Sequence, residues 1–228
     1  MTMAAQLVLP GEVGSEQLSA VARADCGHHG CVQQPNEDVR TLASVITLTR
    51  TVGCLTFVTI SIATGRVSLL FIGFAIHVVG DVADGIVARR RQQETRAGAV
   101  LDILCDRLCV AVYYLSYGQL HHALLVPIAL FLFEFMVLDA HLSLAFLNWP
   151  LRSLNDFGLV DSSLYRWNWS RTGKAMHSGA LVVLMLTTGS PLLCTALVVG
   201  MIIVKVASLV RLHSRGVPAP VGCAAAMG

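Results

Sequence analysis

The stretch that decides the fold of this chain is DVADGIVARRRQQETRAGAVLDILCD, residues 81–106. It contains two pairs of aspartates, Asp81 with Asp84 and Asp102 with Asp106, and long apolar segments lie on both sides of it. A carboxylate inside a segment that can cross a bilayer is costly to bury and is interpreted first as functional. The four aspartates are therefore the first candidates for a functional site.

The spacing within each pair places both carboxylates on one face of a helix. Residues three or four positions apart are neighbours on a helix surface. If the basic link between the pairs reverses the chain, Asp84 and Asp102 lie at similar depth, because each residue adds about 1.5 Å along a helix. The pattern thus predicts two antiparallel helices whose acidic side chains converge.

Converging carboxylates of this kind predict a site for Mg²⁺ or Mn²⁺, since these hard cations prefer oxygen ligands. The expected metal ligands are Asp81, Asp84, Asp102 and Asp106. Three small residues beside them, Gly85, Ala88 and Gly98, leave room for a ligand to approach the backbone.

The same residues carry a resemblance to a known family. The pattern Asp81-x-x-Asp84-Gly85-x-x-Ala88-Arg89, then Gly98, Asp102 and Asp106 at fixed distances, resembles the complete eight-residue signature of the CDP-alcohol phosphatidyltransferases. This resemblance implies an integral membrane enzyme of phospholipid biosynthesis. Such an enzyme moves a phosphatidyl group from CDP-diacylglycerol to an alcohol acceptor and releases CMP. The resemblance also implies a homodimer.

The resemblance suggests individual roles as well. The expected donor-binding residues are Thr47, Arg50, Gly85, Ala88, Arg89, Thr95 and Gly98. Asp106 matches the family position of the base that takes the proton of the acceptor hydroxyl. Two of these residues have alternatives: Arg50 either holds the donor diphosphate or pairs with Asp139, and Thr95 is either near the nucleotide or an ordinary loop threonine.

The acceptor is expected to be a phosphorylated polyol such as glycerol 3-phosphate or inositol phosphate. The stretch 171–177 resembles a Gly-Lys-x-Lys-Thr stretch of phosphatidylglycerophosphate synthases, but Met176 and His177 replace its second lysine and its threonine. Arg152 and Lys174 either bind a phosphorylated alcohol or only mark the cytosolic side.

Composition supports a membrane protein independently. Apolar residues make up 55% of the chain and charged residues 13%, about half the charged share of soluble domains. Six segments are near the length of about 20 residues that crosses a bilayer. They are 42–63, 67–88, 98–118, 122–147, 172–189 and 191–212. The fold class predicted is an all-α integral membrane protein, a bundle of six transmembrane helices. With a net charge of only +2, we expect no nucleic-acid partner.

The basic residues predict the orientation of this bundle. Of 16 arginines and lysines, Arg50, Arg107 and Lys205 lie well inside the six segments, and the other 13 lie between the segments or near their ends. With both termini in the cytosol, only Arg66 among the others lies on the far side, as the positive-inside rule requires. We expect a multi-pass protein of the cell membrane with its active site facing the cytosol.

The remaining parts of the chain carry weaker signals. Residues 1–40 are expected to be a disordered tail, in which Cys26, His28, His29 and Cys31 could alternatively hold zinc; 41–212 form the membrane domain, and 213–228 a second tail. The link 148–171 is rich in Trp and Tyr and is expected at the level of the lipid headgroups.

Two other classes of protein stay open: an intramembrane prenyltransferase, which also uses paired aspartates, and a transporter.

Overall fold

The computed structural model describes residues 38–91, 94–149, 151 and 153–214. Within these ranges the chain is helical and contains no β-strand. The α-helices are α1 (Leu42–Thr64), α2 (Val67–Arg90), α3 (Arg96–Leu120), α4 (Leu125–Phe133), α5 (Ala140–Leu144), α6 (Ser162–Asn168), α7 (Arg171–Lys174), α8 (Ala180–Thr188) and α9 (Pro191–Ser214). The 3₁₀ segments are His122–Leu124, Ala145–Asn148 and Leu154–Leu159, and the π-helical segments are Glu134–Asp139 and Ala175–Gly179. The zinc hypothesis for residues 26–31 and the role expected of Arg152 concern residues outside the described ranges.

Helices α1 and α2 form a tight hairpin. Thr41 caps the start of α1 by accepting a hydrogen bond from the Ser44 amide at 3.1 Å. The helix ends at Gly65, whose φ of 68° is the left-handed conformation that glycine adopts without a Cβ penalty. A Cβ on Gly80 of α2 would lie 2.5 Å from the Cβ of Arg50. The absence of a side chain at Gly80 therefore sets how closely α2 passes Arg50.

The predicted chain reversal between the two aspartate pairs is present. Helix α2 ends at Arg90, and α3 begins at Arg96. Thr95 caps α3, because its hydroxyl accepts a hydrogen bond from the Gly98 amide at 3.0 Å. The first pair of aspartates therefore lies near the end of α2, and the second lies in the first turns of α3.

Among the described residues, four helical stretches are long and apolar enough to cross a membrane, which supports the predicted membrane protein. They are Leu42–Thr64, Val67–Arg90, His122–Asn148 and Pro191–Ser214. The other two predicted spans fall in α3 and in the helical stretch from α7 to α8. Helix α3 carries Asp102, Asp106 and Arg107, whose charges lower its hydropathy. The six-span count therefore stays a prediction.

The link between the fourth span and α6 has its own aromatic core. The ring of Phe157 lies 5.3 Å from that of Trp149 and 4.7 Å from that of Trp169, measured between centroids. Trp149 is only 5% exposed and Trp169 only 4%, whereas Trp167 is 65% exposed. Trp149 and Trp169 are thus core residues that hold the link together. The prediction that the Trp and Tyr residues of the link lie at the level of the lipid headgroups does not describe this role.

Candidate active site

One arginine lies at the centre of the aspartates. Nε of Arg50 donates to Oδ2 of Asp84 at 3.0 Å, and its Nη2 lies 2.5 Å from Oδ1 of Asp102 and 3.1 Å from Oδ1 of Asp81. The three acids come from α2 and α3, whereas Arg50 comes from α1 and is only 3% exposed. Arg50 therefore ties three helices together. The alternative that it pairs with Asp139 is wrong.

Asp81, Asp84 and Asp102 form a group that could hold a metal ion. Each offers a carboxylate oxygen, and these three oxygens lie within 4.8 Å of one another. The Asp84 side chain is buried, while those of Asp81 and Asp102 are 46% and 42% exposed, so an ion can reach the group from one side. The all-oxygen donor set and its negative charge fit Mg²⁺ or Mn²⁺.

Asp106 lies beside this group and is reached through a histidine. Nη1 of Arg50 lies 2.8 Å from Nδ1 of His77, and Nε2 of His77 lies 3.2 Å from Oδ1 of Asp106. Because a guanidinium only donates hydrogen bonds, Nδ1 of His77 must accept, which leaves the ring proton on Nε2 to be donated to Asp106. His77 thus connects the arginine to the fourth aspartate, a link that the sequence did not predict.

A pocket opens beside the group and contains most of the residues expected to bind the donor. Of the seven, six line it: Thr47, Gly85, Ala88, Arg89, Thr95 and Gly98. Asp84 and Asp102 also line it, whereas Arg50 lies behind them. The Thr47 hydroxyl lies 2.7 Å from Oδ2 of Asp84, so it supports a carboxylate at the pocket wall.

Two glycines keep this pocket open. A Cβ on Gly85 would lie 3.2 Å from Nη1 of Arg89, which packs over it. A Cβ on Gly98 would lie 2.7 Å from the Thr95 hydroxyl and 3.6 Å from that of Ser44. Thr95 therefore both caps α3 and lines the pocket, and its place near the nucleotide stays a prediction.

Sequence reasoning missed several polar residues of the pocket wall. Ser44 precedes Thr47 by three positions, and this helical spacing could have indicated it. Ser153 and Asn155 enter the pocket from the link after the fourth span. No local signal identifies these two, because their position depends on how the link folds back over α3.

A second charged network lies apart from the pocket. Asp139 accepts from Nη2 of Arg107 at 2.7 Å and from Nζ of Lys205 at 2.5 Å, and Lys205 also reaches Asn168 at 3.0 Å. Arg107 therefore pairs with Asp139 and not with the adjacent Asp106. Lys205 is 1% exposed, so this network is buried inside the bundle. Lys174, expected to bind the acceptor, is the last residue of α7, directly before the π-helical segment.

The arrangement defines a class of protein: a helical membrane protein with a group of carboxylates that could hold a cation, beside a pocket lined by Arg89. A family model described as CDP-alcohol phosphatidyltransferase matches residues 40–156, about half of the chain. The chain belongs to this family, whose members are transferases of substituted phosphate groups. The match runs from the start of α1 to the link and includes every signature residue. No curated protein and no solved structure matches the chain.

Proposed function

We propose that this protein transfers the phosphatidyl group of CDP-diacylglycerol to an alcohol acceptor and releases CMP. The observation that carries the proposal is the convergence of three aspartates, two of which, Asp84 and Asp102, line a pocket that contains other residues of the family signature. Family membership favours this reaction over the prenyltransferase and transporter alternatives.

The donor diphosphate carries negative charge and would be repelled by the aspartates alone. Asp81, Asp84 and Asp102, with Asp106 as a proposed fourth ligand, would hold Mg²⁺ or Mn²⁺. Such an ion supplies Lewis-acid polarisation of the phosphoryl oxygens and stabilises the departing CMP. Arg89, exposed at the pocket edge, would add charge-assisted hydrogen bonds to the diphosphate.

Asp106 is the proposed base. The acceptor oxygen forms a bond to the phosphorus that bears diacylglycerol, and its proton passes to the Asp106 carboxylate. The bond from that phosphorus to the bridging oxygen breaks, and its electron pair leaves with CMP. The Asp106 side chain is 31% exposed, which keeps it accessible to an acceptor, and His77 fixes one of its oxygens. Positioning within hydrogen-bond reach matters here more than high basicity.

The orientation of the bundle belongs to this proposal. Six spans with both termini in the cytosol would place the end of α2 and the start of α3, and with them the pocket, at the cytosolic surface of the cell membrane. A homodimer and a phosphorylated polyol acceptor, bound by Arg152 and Lys174, complete the proposal. We also propose that residues 41–212 form the membrane domain, with tails at 1–40 and 213–228.

A direct assay tests the reaction and the acceptor together. Purified full-length protein in mixed micelles is given CDP-diacylglycerol, Mg²⁺ or Mn²⁺ and, in separate samples, glycerol 3-phosphate, inositol phosphate or serine. We expect CMP release that depends on both metal and acceptor, and a new phospholipid identified by mass spectrometry. Asp102→Asn is the negative control. Loss of CDP-diacylglycerol without CMP, or no turnover with any alcohol, would contradict the proposal.

A further inference from the structure

We propose that Arg50 is a resident counter-cation of the aspartates. Its guanidinium must leave their carboxylates when a divalent metal ion binds, and Arg50 thereby sets the affinity of the site for metal. This inference rests on the proposed metal site. It adds a role for a residue that the family resemblance links only to the donor diphosphate.

The contacts show that one guanidinium serves three carboxylates. Among the ion pairs of the described residues, those of Asp81, Asp84 and Asp102 all involve Arg50. A single nitrogen of Arg50, Nη2, contacts oxygens of both Asp81 and Asp102. These are the two exposed acids of the group, past which an ion would enter. Arg50 therefore occupies the space between the side chains that would ligate the metal.

A divalent ion and a guanidinium compete for this space. Asp84 Oδ2 already accepts hydrogen bonds from Arg50 and from Thr47, so while Arg50 stays in place a metal ion must use the other oxygen, Oδ1. Two cations this close repel one another, and burial of Arg50 reduces solvent screening of that repulsion. Metal binding therefore requires that the guanidinium move away.

The structure offers Arg50 a direction in which to move. Its aliphatic part lies against Gly80, and it lines an apolar groove between α1 and α2 together with Gly53 and Ala75. The groove provides space beside the side chain into which it can move. Once released from the carboxylates, the guanidinium is available to an anion, since arginine binds phosphate oxygens in a bidentate manner. We therefore expect metal to bind before the diphosphate of the donor.

A purely structural role for Arg50 predicts the opposite effect of its removal. If Arg50 only holds the carboxylates in place, its loss lets them separate, and metal binds more weakly. If it competes with the metal, its loss makes metal bind more tightly. The sign of the change in metal affinity distinguishes the two roles.

The test is a Mn²⁺ titration of purified full-length protein, with free Mn²⁺ followed by its electron paramagnetic resonance signal. We expect Arg50→Met to lower the Kd for Mn²⁺ at least tenfold. The matched control Arg66→Met removes an exposed arginine at the start of α2 and should leave the Kd unchanged. An unchanged or higher Kd for Arg50→Met, with normal binding by the control, would overturn the competition and leave the proposed function intact. Absence of Mn²⁺ binding in every protein would overturn the metal site itself.

A second variant covers the case in which Arg50→Met does not fold. Arg50→Lys keeps one positive charge, but an ammonium is a compact point charge that cannot reach three carboxylates as a guanidinium does. We expect a Kd between those of the wild type and Arg50→Met, about two- to fivefold below the wild-type value. Mn²⁺ should also raise the melting temperature of Arg50→Lys more than that of the wild type. A smaller rise together with a higher Kd would count against the competition.

Discussion

The contacts of His77 show how the proposed base, Asp106, is held in position. His77 accepts a hydrogen bond from Arg50 and donates one to Asp106, so a neutral imidazole links a buried cation to a carboxylate. The direct contact from His77 gives Asp106 a defined orientation without neutralising it. In the proposed reaction, His77 is a positioning residue and Asp106 the residue that touches the substrate.

Removal of His77 should therefore affect turnover more than binding. For His77→Ala we expect kcat to fall about tenfold to a hundredfold, with the KM for CDP-diacylglycerol changed less than threefold, because the loss concerns orientation of the base. Steady-state kinetics in mixed micelles measure both constants. His122→Ala, which removes an exposed histidine beyond the end of α3, is the control. A rise in KM alone would argue against this positioning role.

The role of Asp106 has its own prediction. Asp106→Asn removes the proton acceptor but keeps the size of the side chain, so we expect kcat to fall by about 10²–10⁴, the usual contribution of a general base. Binding of CDP-diacylglycerol, measured with a labelled donor, should persist. Full CMP release by Asp106→Asn in the presence of metal and acceptor would remove Asp106 from this role.

At the scale of elements, the start of α3 combines stability with pocket shape. The Thr95 hydroxyl lies 2.7 Å from the position that a Cβ on Gly98 would take. Gly98→Ala should displace this hydroxyl, and the lost cap costs about 1 kcal/mol. Alanine stabilises a helix by up to about 1 kcal/mol relative to glycine. The two effects nearly cancel, so we expect Gly98→Ala to change the melting temperature little.

A double-mutant cycle separates the two effects. In a Thr95→Ala background the cap is already lost, so Gly98→Ala should raise the melting temperature, with a coupling of about 1 kcal/mol. Thr95→Ala alone should lower it. The KM for CDP-diacylglycerol should rise in every variant that carries Gly98→Ala, since the added methyl group points towards the pocket wall near Ser44. Additive effects on melting temperature would refute the clash.

Local spacing predicted these elements well, because helix periodicity and turn residues act over a few positions. The aspartate pairs, the reversal between α2 and α3, and the pocket residues Gly85 and Gly98 all follow from such spacing. The contacts of Arg50 did not, since the sequence predicted either the donor diphosphate or Asp139 as its partner, and the structure pairs it with Asp81, Asp84 and Asp102. The contacts of Arg50 depend on how α1 packs against α2. Gly80 permits this close packing, but the sequence alone does not show it, because Arg50 and Gly80 are far apart along the chain.

At the scale of the whole molecule, the topology depends on whether α3 crosses the membrane. Its low hydropathy reflects charged residues that a lipid-facing helix would not tolerate. In this bundle those residues have partners: Asp102 contacts Arg50, Asp106 contacts His77, and Arg107 contacts Asp139. Pairing removes most of the cost of burying their charges, so hydropathy alone underestimates the tendency of α3 to span the membrane.

Accessibility of single cysteines tests whether α3 crosses. In a background with Cys26, Cys31 and Cys223 replaced by serine, the described cysteines Cys54, Cys105, Cys109 and Cys194 are buried and free. We expect Arg66→Cys and His122→Cys to react with a membrane-impermeant maleimide in intact cells, and Ser214→Cys to react only after permeabilisation.

His122 distinguishes the two span counts, because it follows α3 directly. If α3 crosses, as in the six-span bundle, His122 lies on the same side as Arg66. If only the four most apolar stretches cross, α3 stays on the cytosolic side and His122→Cys reacts only after permeabilisation, as Ser214→Cys does. A reversed pattern, with Ser214→Cys labelled in intact cells and Arg66→Cys protected, would place the pocket on the outer face. Such a pattern would contradict a cytosolic site for transfer, because CDP-activated lipid and acceptor would then have to be supplied from the opposite side of the membrane.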